Sequence, residues 1–260
     1  MEPTDSAFEV RTYFVRGKNA LVARADFGAL YADLCLHEMD CGIRHPESQE
    51  QWLRDALAGI TLHAASIPLQ ETLAWTVHFE EPAVNVFVTA VNPSGSVTGS
   101  VHTEEVRSSG KNLFYAQTAA AGKEARLSVV DFEGLDVLSA AEAYYGRSEQ
   151  RPIRIFRYAV EDLVMVSAQP DCDLDWLASL NQESILTLDK DFELSLLEQR
   201  TYRFACGCGQ GRMLDLLAPS MRADPDALFG DQESLRMRCP RCGARHAITR
   251  EALEAHIAAS

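Results

Sequence analysis

The sequence predicts an α+β protein with an antiparallel-sheet core domain and helices, a metastable linker and a small C-terminal domain. Short segments in which apolar and polar residues alternate, separated by turn signals, indicate antiparallel strands. Longer amphipathic stretches indicate helices, and four cysteines stand in two close pairs near the C-terminus. We place the core domain at residues 1–169, the linker at 170–203 and the C-terminal domain at 204–260.

The core domain is predicted to begin with a hairpin followed by two helices. Apolar and polar residues alternate from Phe8 to Phe14, and a Gly-Lys-Asn turn precedes a second strand that ends at Ala25. Asp26 can cap a first helix, and a second helix should run from Pro46 to a stop at Pro68. The remaining elements are strands near 73–79, 84–88, 97–106, 112–119, 124–131, 153–158 and 163–167, and a helix near 135–147.

The linker differs from the core in composition. Residues 159–199 carry ten acids and a single base, Lys190. They also keep a row of large apolar side chains, which a disordered low-complexity segment lacks. We therefore interpret residues 170–203 as a structured but weakly held linker whose apolar face docks on another part of the protein. An ordinary pair of core helices is the alternative.

The four cysteines have the number and spacing of a tetrahedral Zn²⁺ site. Cys206 and Cys208 form a C-x-C pair, Cys239 and Cys242 form a C-x-x-C pair, and 31 positions separate the two pairs. In C-P-R-C-G a tight turn can bring both sulfurs to one point, with Gly243 relieving the backbone. In C-G-C we expect an extended strand, in which residues i and i+2 share a face. Four unrelated core cysteines are the alternative.

The C-terminal domain is predicted to depend on its metal. Its elements are two short helices near 212–218 and 225–229, a strand near 235–238 and a last helix that Thr249 caps. A unit of this size is poorly stabilised by its own core. Zinc binding supplies about 10–16 kcal/mol in small zinc modules, whereas closing the loop between the pairs costs roughly 3 kcal/mol. This domain should therefore fold with zinc and melt without it.

Composition and charge limit the function classes. The chain has 260 residues, 47% of them apolar, which is ample for a packed core. Its net charge of −14 argues against binding along a nucleic-acid backbone, although the segment from Arg200 onward is slightly basic. The N-terminal stretch MEPTDSAFEV lacks a basic region followed by an apolar one, so we expect a cytosolic protein with reduced cysteines.

Other titratable residues give weaker predictions. Cys35 and Cys41 are interpreted as buried apolar thiols, although together with His37 and His45 they could in principle gather a metal. Cys172 stands between two aspartates, which disfavours its thiolate. His246, beside the second cysteine pair, could compete as a zinc ligand, but four cysteines already complete a closed site.

Three segments together resemble the 33 kDa chaperonin family. They are F-V-R-G at 14–17, Y-Y-G-R-S-E-Q at 144–150 and the C-x-C…C-x-x-C tail, and they follow one another in the family's order. The resemblance identifies a divergent member of a family of cytosolic, redox-regulated heat-shock holdases. It implies an α+β core, a metastable linker and a C-terminal zinc domain. Tyr144, Ser148, Glu149 and Gln150 match a family motif, which we interpret as helix-end packing in which Ser148 and Glu149 satisfy backbone groups.

The resemblance implies that the four cysteines are both the zinc ligands and the redox switch. Disulfides within the pairs, Cys206–Cys208 and Cys239–Cys242, would remove the thiolates that hold zinc without joining the two halves of the domain. The linker would then be released and offer its apolar side chains to an unfolding client protein. The candidate client-binding residues are Trp176, Leu180, Ile185, Leu188, Phe192 and Leu196. The oxidised form is expected to associate as a homodimer.

The function expected from these observations is an ATP-independent holdase, not an enzyme, that is inactive when reduced and active when oxidised. We find no phosphate loop, nucleophile elbow or H-E-x-x-H motif. One alternative is a constitutive binding module with a purely structural zinc ribbon. The other is a thiol–disulfide oxidoreductase that uses Cys239 and Cys242, although the thioredoxin-like βαβ context is missing.

Overall fold

The computed structural model of the chain describes residues 6–259. Its strands are β1 Phe8–Val15, β2 Ala20–Asp26, β3 Glu71–Phe79, β4 Val84–Val91, β5 Ser96–His102, β6 Asn112–Ala120, β7 Arg126–Phe132, β8 Ile153–Arg157, β9 Asp162–Ala168, β10 Leu194–Phe204, β11 Ser234–Arg238 and β12 Arg245–Thr249. Its helices are α1 Gly28–Cys41, α2 Glu47–Ala65, α3 Val137–Arg147, α4 Leu174–Ser179, α5 Gln182–Leu186, α6 Leu188–Asp191, α7 Gln210–Ala223, α8 Pro225–Phe229 and α9 Arg250–Ala259.

Ten strands of the described chain form one sheet in the order β7-β6-β3-β4-β5-β10-β1-β2-β9-β8. β10 lies at its middle, where it pairs antiparallel with β1 from Phe8↔Tyr202 to Val15↔Leu194. On its other side it makes a short parallel contact with β5 at Arg203 and Phe204. Because β10 joins the two halves of the sheet, it links the linker directly to the core.

Helix α2 is the centre of the main core. Almost every residue from Trp52 to Ala65 is buried, since the helix packs on the sheet and is covered by α3. Its sequence places small residues among the large ones, and Gly59 allows the indole of Trp75 to approach closely. The one buried acid of the helix, Asp55, forms an ion pair with Arg157 of β8. The helix is thus fixed by packing on several sides.

The other face of β1, β2 and β9 is covered by the linker helices α4, α5 and α6. Side chains of the three strands alternate between the main core and a second cluster, so that Leu163 faces the first and Val164 the second. The linker contributes apolar side chains to this second cluster at Leu177, Leu180 and Ile185, among others. These strands are therefore buried on both faces, as long apolar runs such as Leu163–Ala168 indicate.

Residues 204–259, which we call the tail, have a small core of their own. The antiparallel hairpin β11–β12 packs against α7 and α9, and α8 packs on α7. The buried residues of this tail core are Met213, Leu214, Ala218, Met221, Phe229, Ile248 and Leu253. Within residues 6–259 the structure contains no helix long and apolar enough to cross a membrane.

The α+β class and most predicted elements are confirmed. The predicted cap of α9 is present, because the Thr249 hydroxyl accepts a hydrogen bond from the Ala252 amide. Two strands, β10 and β12, were not predicted. β10 spans the boundary placed between the linker and the C-terminal domain, so the predicted division at residues 203/204 falls within one strand.

Candidate metal centre

The first cysteine pair follows directly on β10. The strand ends at Phe204, and the amide of Ala205 still donates to the carbonyl of Val97. The expectation of an extended C-G-C segment is wrong, because Gly207 has a φ of 65° and the chain turns there. This left-handed conformation suits glycine and lets both sulfurs point towards the second pair.

The second cysteine pair forms the tip of the β11–β12 hairpin. The amide of Gly243 donates to the carbonyl of Cys239, and the amide of Cys239 donates to the carbonyl of Ala244. Gly243 has a φ of 74°, as the turn in C-P-R-C-G requires. We call this turn, residues 239–243, the knuckle.

The four sulfur atoms converge. The Sγ atoms of Cys206 and Cys239 are 3.6 Å apart, and those of Cys208 and Cys242 are 3.4 Å apart. All four Sγ atoms lie within 4.8 Å of one another. A tetrahedral Zn²⁺ with Zn–S distances of about 2.3 Å places its sulfurs roughly 3.8 Å apart, so this donor set fits the ion. Four thiolates leave no open position for catalysis by the metal.

The sulfurs strongly affect one another's ionisation. Hydrogen bonds from the thiols of Cys242 and Cys239 lower the pKa of Cys206 to about 5. Burial raises the pKa of Cys208 to about 12, and the hydrogen bond to Cys206 raises that of Cys242. Within the C-x-C pair, Cys206 is therefore the more readily ionised thiol. A divalent cation would stabilise all four thiolates, because it opposes their mutual repulsion.

The knuckle is docked on the core by polar contacts that the sequence did not predict. His37 of α1 donates from Nε2 to the carbonyl of Cys242 (2.9 Å), and His102 of β5 donates to the carbonyl of Pro240 (3.1 Å). The guanidinium of Arg241 donates to the carbonyl of Cys206 and to the hydroxyl of Thr89. The hydrogen bond from Arg241 to Thr89 joins the knuckle to β4, so the metal centre lies against the core sheet.

The alternative metal ligands near α1, which are Cys35, His37, Cys41 and His45, do not converge on one point. Among residues 6–259, the four tail cysteines are the one group of three or more candidate ligands with converging donor atoms. Cys35 is exposed, contrary to its interpretation as a buried thiol. Cys41 is half-buried beside the four tail cysteines, with its Sγ 3.9 Å from Nε2 of His37. His45 instead faces Glu38 at 3.5 Å.

Two further candidates lie away from the cluster. His246 sits in β12 opposite Met237, outside the group of converging ligands. Cys172 packs at the edge of the linker cluster, where burial and then the charge of Asp173 raise its pKa. It is therefore a poor nucleophile, as the sequence indicated, although burial contributes more than charge.

The candidate client-binding residues occupy different environments. Leu180, Ile185 and Leu188 are buried in the linker cluster, and Trp176 and Phe192 are partly buried against it. The two aromatic rings contact each other edge to face at 5.4 Å. Leu196 lies on β10 and is 52% exposed. Five of the six residues are therefore docked on the outer face of the core sheet.

The Tyr144–Gln150 motif joins the end of α3 to the sheet edge. The Tyr144 hydroxyl donates to the Glu149 carboxylate (2.8 Å), which also accepts from Arg126 of β7. Burial and then Glu149 raise the pKa of Tyr144 to about 12. The motif packs a helix end, as expected, but Glu149 binds side chains and not the backbone groups that we expected.

Comparison with known proteins agrees with this architecture. The family model described as Hsp33 protein matches residues 164–249. The 33 kDa chaperonin of Nitrosococcus oceani is 24% identical over 245 residues, covering 81% of this chain and 82% of that protein. The 33 kDa chaperonin of Edwardsiella ictaluri is 26% identical over 152 residues, covering 49% of this chain and 52% of that protein.

A solved structure extends the likeness to nearly the whole chain. The crystal structure of the 33 kDa chaperonin from Thermotoga maritima superposes with a TM-score of 0.71 at 12% identity, covering 96% of this chain and 98% of that one. These matches support membership of the chain in the Hsp33 family. The region that the family model matches, 164–249, runs from β9 through the linker and both cysteine pairs to the end of β12. The relatives are named 33 kDa chaperonins, which supports a chaperone function.

Proposed function

We propose that this chain is a redox-regulated, ATP-independent holdase that prevents aggregation of unfolding proteins in the cytoplasm. The observation that carries the proposal is the convergence of four cysteine sulfurs, in an Hsp33 family member, at the point where the tail meets the core. In the reduced protein Cys206, Cys208, Cys239 and Cys242 hold Zn²⁺. The bound ion would cross-link the chain after β10 to the tip of the β11–β12 hairpin.

Oxidation would remove this cross-link. A peroxide oxidises one thiolate to a sulfenic acid and is itself reduced to hydroxide. A second thiol attacks the sulfenic sulfur, a disulfide forms and water leaves. We propose Cys206–Cys208 and Cys239–Cys242 as the final pairs, because cysteines with only one or two residues between them remain close when the tail opens. The closest sulfurs in the folded cluster belong to different pairs, at 3.4 and 3.6 Å. Zinc release and tail opening would therefore favour pairing within each motif.

Loss of the metal centre would then release the linker. The knuckle contacts the core through His37, Thr89 and His102, and β10 ends immediately before the first cysteine pair. Unfolding of the tail would remove these contacts and free the end of β10. The docked residues Trp176 to Phe192 would become available to a client, and the acidic background would keep the complex soluble.

We propose that the chain is divided into a core at 1–169, a metastable linker at 170–203 and a redox-switch domain at 204–260. The three linker helices have four to six residues each, so packing on the sheet rather than helix propensity must stabilise them. Exposed apolar surface after release also favours self-association. We propose a homodimer as the oxidised state.

Client aggregation provides the direct test. The oxidised protein should suppress light scattering by a chemically unfolded client at a near-stoichiometric ratio, and the reduced, zinc-loaded protein should have little effect. Dye binding to exposed apolar surface should rise in parallel and reverse on reduction. Equal suppression by both forms would favour a constitutive binder with a structural zinc. Multiple turnover of a disulfide substrate would favour an oxidoreductase.

A further inference from the structure

A cleft of about 480 Å³ lies at the seam between the core and the tail. The loop between α1 and α2 and the end of β5 form its core side. The ends of β11 and β12, beside the knuckle, form its tail side. Its charged and ionisable lining residues are Arg44, His45, Glu104, Arg238 and Arg245. The cleft is therefore present only while the tail is docked.

The cleft is positively charged in a protein whose net charge is −14. Three guanidinium groups line it, against the single carboxylate of Glu104. Within residues 6–259, the side chains of Arg44 and Arg245 take part in no ion pair or hydrogen bond. Arg238 is held in place, because it donates to the carbonyl of Val101 (3.1 Å) and lies against Gly243. Two unpaired arginines thus flank an ordered one.

Neighbouring groups respond to this positive charge. Burial and then the charge of Arg238 lower the pKa of both His45 and His102. Pro46 and Gln49 also line the cleft, where the 19-residue helix α2 begins without a side-chain cap. A helix start presents free amide donors and a positive dipole end, which adds to the field of the arginines.

We propose that this cleft binds a small multivalent oxyanion of the phosphate class, which bridges Arg44 of the core to Arg238 and Arg245 of the tail. Guanidinium groups match such oxyanions in geometry and charge. The acidic surface elsewhere disfavours a long polyanion, which would have to follow a basic track. Because the anion contacts both sides of the seam, it binds the docked arrangement and stabilises it by linkage. The proposal does not depend on redox activation.

Calorimetric titration of the reduced, zinc-loaded full-length chain with inorganic diphosphate tests the site. The double variant R44Q/R245Q should bind diphosphate about 100-fold more weakly, since each of the two lost charge-assisted hydrogen bonds contributes about 1.5 kcal/mol, equivalent to about tenfold. The matched control R212Q/R222Q removes the same charge from exposed positions of α7 and should bind as the parent does. Each variant is first checked for stoichiometric zinc. If the double variant loses its metal, the titration is repeated with R44Q alone, which leaves the β11–β12 hairpin unchanged.

Protease protection gives a second readout. Saturating diphosphate should slow tryptic cleavage of the tail severalfold in the parent and the control, and leave R44Q/R245Q unchanged. Inorganic phosphate should act similarly at higher concentration if the free ion is the ligand. Equal binding by the cleft and control variants would overturn the proposal, as would an absence of binding by the parent. Tight binding of single-stranded RNA with no response to diphosphate would also overturn it.

Discussion

A chain in which Cys239 is replaced by serine is expected to purify without stoichiometric zinc and with a tail that protease digests rapidly. Cys239 is 3% exposed, and its Sγ lies 3.6 Å from that of Cys206. Its loss leaves three sulfurs and an oxygen that binds zinc poorly. Zinc binding supplies about 10–16 kcal/mol in comparable small modules, whereas the tail core has only seven buried side chains. The tail should therefore unfold while the core remains intact.

Metal analysis and limited proteolysis, read by mass spectrometry, check this result. Cleavage should begin within residues 204–259 and reach 8–168 only later. Cys172→Ser and Cys35→Ser are matched controls, because both remove a thiol outside the converging group, and both should retain one zinc per chain. Stoichiometric zinc in Cys239→Ser, or simultaneous digestion of the core, would contradict the assignment of the metal centre.

The strands and helices of the core could be predicted because local sequence patterns determine them. Apolar and polar residues alternate in β3 and β4 because one face of these strands packs on α2. The caps and turns lie within a few residues of the helices and strands that they end. β10 could not be predicted in this way. Its partner β1 lies 194 positions earlier at the pair Phe8↔Tyr202, and the charged sequence of β10 resembles an exposed segment. The place of β10 inside the sheet depends on β1 and β5, which are distant from it in the sequence.

The candidate metal centre could be predicted in chemistry but not in geometry. Four thiols in two close pairs specify the ligand type, and the φ of 74° at Gly243 follows from the C-P-R-C-G turn. The C-G-C half was expected to be extended, but glycine at 207 allows a left-handed turn that the spacing alone does not reveal. His37 and His102 carry no sequence signal for docking, because their partners are backbone carbonyls far along the chain.

The position of β10 connects the metal centre to the linker. Its C-terminal end leads into Cys206, and two residues separate its N-terminal end from α6. Under the proposed mechanism, a conformational change at the cysteines would therefore reach the linker through this one strand. The strand's exposed side chains, among them Leu197, contribute little to its retention. Tyr202 is its largest fully buried side chain, so this residue should decide how firmly β10 is held.

Replacing Tyr202 by alanine is accordingly expected to activate the reduced, zinc-loaded protein. The ring packs 6.3 Å from that of Phe8, and the hydroxyl donates to Oδ1 of Asn92 (2.8 Å). Removing a buried aromatic side chain costs about 3–5 kcal/mol, which is a large share of the stability of a domain. The substitution destabilises β10, the strand that joins the two halves of the sheet. The linker should then open without oxidation, and the reduced variant should suppress client aggregation nearly as well as the oxidised parent does.

Two further variants separate a specific effect on β10 from general destabilisation. Tyr202→Phe keeps the ring but leaves the Asn92 oxygen without its donor, which costs about 1–3 kcal/mol and should give partial activation. Leu197→Ala changes the same strand at a side chain that is 58% exposed and should behave as the parent does. Light scattering of an unfolded client, with zinc content and thermal melting measured on the same samples, provides the comparison. If Tyr202→Ala lowers the melting temperature of the core but the reduced protein stays inactive, β10 does not transmit the state of the metal centre to the linker.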